Sequence, residues 1–158
     1  ISIRDIHTIL GTLLTESGKT QNPDELTELV RPRLGHLMLQ EIIELGDTLN
    51  VITLDPKLEQ MLISSITQSA KIGEVVIEPN LAEGLLDSVK KEKEDAENQG
   101  HPAVIVVAPP IRPWLARMIK QRFSETTILS YTEIPEDQKI KVFARIGVTD
   151  ETQEENQQ

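Results

Sequence analysis

Ala103–Val104–Ile105–Val106–Val107–Ala108–Pro109–Pro110–Ile111–Arg112–Pro113 is the stretch on which the fold turns. Its first six residues are apolar without a break, the pattern of a central strand covered on both faces of a sheet. Three of the six residues 108–113 are prolines, which cannot continue a ladder and stiffen the turn that ends it. A helix is predicted over 113–123 and a further strand over 126–130. The short helical link makes those two strands parallel neighbours with a right-handed crossover.

The same grammar extends upstream. Residues 49–54 read as a strand, and Asp55–Pro56 caps a helix whose inward positions are Leu58, Met61, Leu62, Ser65 and Ile66. Gly73 precedes a second strand over 74–78, and Pro79 opens a helix with Leu81, Leu85 and Val89 inward. Lys90 with Glu94 and Lys93 with Glu97 stand at i,i+4 on its solvated far end, and Gly100 closes it. Downstream, residues 139–146 alternate: Ile140, Val142, Ala144 and Ile146 on one face, Lys139, Lys141, Phe143 and Arg145 on the other. That is a half-exposed strand at a sheet edge.

Before Gly46–Asp47 the pattern is helical. Ile3, Ile6, Leu10, Leu13 and Leu14 predict a helix over 3–16, with Ser2 as its cap and Asp5 in its first turn. Gly18 ends it, and Asn22–Pro23 starts a second helix with Asp24 and Glu25 in the first turn. Its apolar stripe runs through Leu26, Leu29, Val30, Leu34, Leu37 and Leu45, and Pro32 inside that stripe predicts a kink or break. The expected organisation is a helical subdomain over 1–47 and an α/β subdomain over 48–148. The latter carries a mixed sheet of about four to five strands, with α+β as the alternative class. Residues 149–158, polar and acidic, are expected to be a disordered tail.

Composition restricts the function classes. The net charge of −10 argues against a nucleic-acid or anionic-membrane binder, whose surfaces need a positive field. There is no cysteine, which removes disulfides, thiolate metal sites and cysteine nucleophiles together. No apolar run reaches the ~20 residues that span a bilayer. The chain starts at Ile1 without Met, which suggests a piece of something longer. Residues 101–148 alone are net basic, with 7 basic against 4 acidic side chains, and hold all four aromatic residues: Trp114, Phe123, Tyr131 and Phe143.

Chemical motifs are weak. Gly18–Lys19–Thr20 resembles the end of a phosphate loop, but Leu13 stands where that loop needs its first glycine, and a helix precedes it. The 108–113 turn sits where open α/β sheets often bind ligands, yet its prolines have no N–H to offer a phosphate. His7, His36 and His101 lack metal-site spacing. Ser130, Glu133 and His101 could meet above the sheet, without the nucleophile elbow that would mark a hydrolase. Neither catalysis nor a cofactor is expected. Arg112, Arg117, Lys120 and Arg122 lie on or beside the Trp114 helix; either Trp114 and Phe123 pack in the core beneath solvated cations, or the helix presents a protein-binding surface. Arg112, Trp114, Arg117, Tyr131 and Glu133 are the candidate partner-binding residues.

An ordered set of motifs goes further: Ser2–Ile3–Arg4–Asp5–Ile6 through Ile9–Leu10; Leu26–Thr27–Glu28–Leu29–Val30–Arg31 with Leu34–Gly35; Val51–Ile52–Thr53–Leu54–Asp55–Pro56 with Leu58–Glu59; the opening stretch; and Leu129–Ser130–Tyr131–Thr132–Glu133–Ile134–Pro135. From about residue 2 to 148 this resembles the C-terminal cytoplasmic region of the bacterial type III export gate family, the flagellar FlhA-type proteins and their injectisome relatives. The Leu-Asp-Pro and Leu-Ser-Tyr-x-Glu-Ile-Pro segments favour the flagellar branch. Pro32 departs from the continuous helix expected of the family. The resemblance implies the cytoplasmic domain of a bacterial inner-membrane protein, attached to the membrane only through N-terminal segments absent here. It implies self-association in a nine-fold ring and a docking role for chaperone–substrate complexes and soluble export components. It also implies that residues 1–47 are part of a larger helical domain, that 48–148 are the terminal α/β subdomain, and that the preceding subdomains, which hold the family's main chaperone-binding depression, are absent. Another class of function, a small-molecule-binding or regulatory α/β domain using the 109–113 loop, is the alternative.

Overall fold

The computed structural model describes residues 6–44, 46–71, 77–123 and 126–147. Helix α1 (Ile6–Glu16) leads to α2 (Pro23–Val30), a 3-10 turn (Arg31–Leu34) and α3 (Gly35–Gln40). Strand β1 (Leu49–Leu54) is followed by α4 (Pro56–Ala70) and α5 (Pro79–Asn98). Then come β2 (Val104–Val107), α6 (Arg112–Arg122), β3 (Thr127–Ser130), a 3-10 turn (Tyr131–Glu133) and β4 (Ile140–Ile146). The predicted Ser2 cap, residues 74–76 of the predicted strand over 74–78 and the acidic tail lie outside the described residues. Ile77 and Glu78 belong to no strand, and Ile77 packs against the main core.

Local signals behave as their chemistry requires. The Asn22 side chain accepts from the Asp24 N–H at 3.0 Å with Pro23 at the first helical position, and Asp55 does the same for Lys57 at 2.9 Å. Pro32 breaks the long apolar stripe into α2, the 3-10 turn and α3. Gly100, at φ +79°, ends α5: its N–H reaches the Glu97 carbonyl at 3.0 Å and the His101 N–H the Ala96 carbonyl at 2.9 Å. That pair of bonds is a Schellman ending, which needs a left-handed residue.

The four strands lie in the order β3-β2-β1-β4, and every neighbouring pair is parallel. The expected mixed sheet is thus parallel throughout, because no hairpin joins successive strands. Moving stepwise from β1 to β2 to β3 by right-handed crossovers places the connecting helices on one face. There Leu58, Leu62, Leu85, Leu86, Val89, Leu115 and Ile119 pack on Ile52, Leu54, Ile105, Val107 and Ile128. The return from β3 to β4 crosses the other face. That face buries Leu49, Val51, Val104, Val106 and Leu129 under Leu39, with Met38, Ile42, Ile43 and Ile134 at its margin. Strand β2 is buried at all four positions, as its unbroken apolar run demands.

Strand β4 departs from the predicted alternation. It pairs Val142 with Val51 but Ala144 with Ile52, so a bulge interrupts the ladder. One extra residue reverses the side-chain parity beyond it. Phe143, Ala144 and buried Ile146 therefore belong to the helix-covered core, while Ile140 and Val142 stand 46% and 48% exposed beside the opposite face. In α1 the apolar positions Ile6, Leu10 and Leu14 are exposed, and Thr12 and Glu16 are the buried ones. No helix among the described residues is long and apolar enough to cross a membrane.

Candidate functional site

Two residues of the helical segment and two of the α/β segment converge at the C-terminal ends of β2 and β3. Arg31 follows α2 directly, and its Nε donates to Glu133 Oε1 at 2.8 Å while its Nη2 donates to Oε2 at 3.1 Å. Arg112, at the start of α6, donates from Nε to the Ile128 carbonyl at 3.2 Å, lies 3.3 Å from Glu133 Oε1, and gives Nη1 to Glu28 Oε1 at 2.5 Å. Glu133 is 2% exposed and Arg112 9%. Burial, and then the neighbouring Arg31 cation, pull the Arg112 pKa below its ordinary value; burial likewise raises that of Glu28 against the pull of Arg112. Enclosing charges in this way carries a desolvation cost that their mutual attraction has to offset.

Gly35 joins the same seam. A methyl group on its Cα would stand 2.0 Å from the Glu133 carbonyl oxygen, so α3 begins against the backbone of the 131–133 turn where only glycine fits.

Beside the ionic cluster lies an open cleft of about 780 Å³. Its lining comes from two segments: Asp24, Glu25, Glu28, Leu29 and Pro32 of the helical segment, and Pro109, Pro113 and Thr132 of the α/β segment. Leu29 is 40% exposed. Glu25 accepts a hydrogen bond from the Thr20 hydroxyl and Glu28 is taken by Arg112. Among the described residues no cation pairs with Asp24 or Glu25.

The residues singled out from the sequence separate into three environments. Arg112 and Glu133 are inside the chain, bound to each other and to the helical segment. Trp114 is half-buried and packs against the main core. Arg117 is exposed, and Tyr131, 47% exposed, donates its hydroxyl to Glu59 Oε2 at 2.8 Å. Arg122 pairs with Glu83, which leaves Arg117 and Lys120 as the α6 cations without an ion pair among the described residues. Glu28, Arg31 and Gly35 stand in the 26–35 motif, but nothing in the sequence gives them a role in this cluster; the local signal is a charged residue, Arg31, interrupting an apolar stripe next to Pro32.

The weaker chemical readings do not assemble. His101 precedes β2 and contacts Asn50 at 3.3 Å and the Phe143 ring edge-on at 6.0 Å, whereas Ser130 ends β3 and bonds Thr132 at 2.8 Å. Histidine and serine thus stand at opposite ends of parallel strands. Lys19 pairs with Glu16 at 2.9 Å in the turn that ends α1. Among the described residues no group of three His, Asp or Glu side chains could hold a metal ion.

A profile of the FHIPEP family matches residues 1–139. The flagellar biosynthesis protein FlhA of Buchnera aphidicola subsp. Acyrthosiphon pisum is 35% identical over 149 residues, 94% of this chain and 21% of that protein. The chain spans about a fifth of the length of the curated relatives it matches. Among solved structures, nonameric EPEC SctV-C superposes with a TM-score of 0.77 at 29% identity, covering 92% of this chain and 44% of that one. A chain of the Chlamydia pneumoniae CdsV and CdsO complex gives 0.71 at 27% identity, covering 92% and 43%.

Proposed function

Because the chain belongs to the FHIPEP family of type III export gate proteins, we propose that it is a docking and ring-forming module of a flagellar export gate, without chemistry of its own. In this reading it is the cytoplasmic part of an inner-membrane protein and receives export substrates, their chaperones and soluble export components. The observation that carries it is the match of 92% of the chain to a nonameric export gate domain, with CdsV–CdsO as a related complex that contains a second protein. The 35% identity to a flagellar protein supports the flagellar branch. Trp114, Arg117 and Tyr131 are the residues of the sequence-based set that reach the surface and remain candidates for partner contacts, while Arg112 and Glu133 are engaged within the chain.

The test is in-frame removal of residues 49–147 from the gene in its native cell. Flagellar subunits should disappear from the medium while the truncated protein still reaches the membrane. Export at the unmodified level would sink the proposal. Within the intact gene, Trp114→Ala should weaken partner association beyond its effect on thermal stability. If the two fall together, Trp114 is a core residue and carries no contact.

A further inference from the structure

The cleft between α2 and the 109–113 loop has an unusual combination of walls. Pro32, Pro109 and Pro113 have no backbone N–H. A polar small molecule would therefore find few donors there, and an extended peptide could not add a strand to such a wall. A helix needs neither, because its own backbone bonds are satisfied internally and only its side chains have to match the groove. Those side chains are specified by the cleft. Leu29 and the three proline rings call for apolar groups, and the carboxylates of Asp24 and Glu25, which no cation of the described residues neutralises, call for positive charge at one edge. Their place in the first turn of α2 explains why acidic residues are tolerated there. It supplies no counterion for them.

We infer that this cleft is the seat for a short basic amphipathic helix of a partner protein, with its apolar face on Leu29, Pro32, Pro109 and Pro113 and its Lys or Arg side chains against Asp24 and Glu25. The inference rests on the docking reading and gives it a place and a partner chemistry. The site straddles two segments that the Glu28–Arg112 and Arg31–Glu133 pairs hold in one arrangement, so the groove is formed before the partner arrives. Steering should be electrostatic and sensitive to salt.

The test uses the chain of residues 1–158 and two labelled synthetic helices with the same leucine positions, one with lysine and one with glutamate on the polar face. The lysine peptide should bind saturably, and more weakly as salt rises; the glutamate peptide should not bind. Leu29→Asp, at a half-exposed position, should lower affinity about tenfold or more. Asp24→Lys combined with Glu25→Lys should do likewise and abolish the salt dependence, and melting curves of both variants should show the fold retained. Lysine-peptide binding that survives both variants would be general attraction to an acidic chain and would overturn the inference. So would a Leu29-dependent association of two copies of this chain without peptide binding. If neither peptide binds while removal of residues 49–147 still stops export, the cleft assignment fails alone. If export survives that removal, the docking reading itself fails.

Discussion

Arg31 and Glu133, 102 residues apart, form a two-point ion pair at 2.8 and 3.1 Å that ties the helical segment to the end of β3. The Glu133 side chain is 1% exposed and that of Arg31 18%. A carboxylate so enclosed is acceptable only because two guanidinium groups face it.

Glu133→Gln keeps the shape and removes the charge, leaving Arg31 and Arg112 facing each other without their shared anion. Removing one partner of a buried pair costs about 3–5 kcal/mol, and denaturant midpoints should fall accordingly. Adding Arg31→Met should recover part of the loss, because it removes one of the uncompensated cations. A midpoint unchanged in Glu133→Gln would show that the pair is solvated and the seam loosely held.

Two glycine substitutions should move stability in opposite directions. Gly35→Ala drives a methyl group to 2.0 Å from the Glu133 carbonyl oxygen, a backbone atom that can yield only by opening the seam; the expected loss is about 1–3 kcal/mol. Gly84, exposed inside α5, has nothing within 4 Å of the same position. Gly84→Ala should therefore stabilise by about 0.5–1 kcal/mol through helix propensity. Thermal melts of the two variants decide it, and equal shifts would contradict the close approach at Gly35.

Tyr131 is the single tyrosine, so its ionisation can be followed by ultraviolet absorption. Burial first, and then its hydrogen bond and charge interaction with Glu59, push its pKa up to about 12 from the ordinary 10. The folded state thus holds this proton more tightly than the unfolded chain. The contribution to stability is complete below about pH 10 and is lost as pH rises toward 12. Glu59→Gln should bring the titration midpoint down toward the ordinary value. A midpoint unmoved by that change would mean the hydroxyl does not bond Glu59.

The α/β pattern was legible because it depends on local periodicity. A short, β-branched apolar run that ends in a proline turn fits a strand covered on both sides, and β2 is buried at all four positions. Capping at Asn22 and Asp55 and the break at Pro32 were likewise visible, since each is decided within one turn of helix. The bulge in β4 was not, because alternation in the sequence of one strand does not reveal that its partner will count one residue fewer.

The candidate site divides along the same line. By itself the sequence determined the helices and the four paired strands, the proline-walled turn without donors, the concentration of aromatic residues after His101 and the motifs that carry the family resemblance, all properties of neighbouring residues. Only the tertiary structure decided that Arg112 and Glu133 face inward, that Glu28, Arg31 and Gly35 meet them across the seam, and that Leu29 and Pro109 line one cleft. The physical reason is distance along the chain. A charged side chain is solvated or buried according to whether a counterion arrives from an element about a hundred residues away, and nothing local records that arrival.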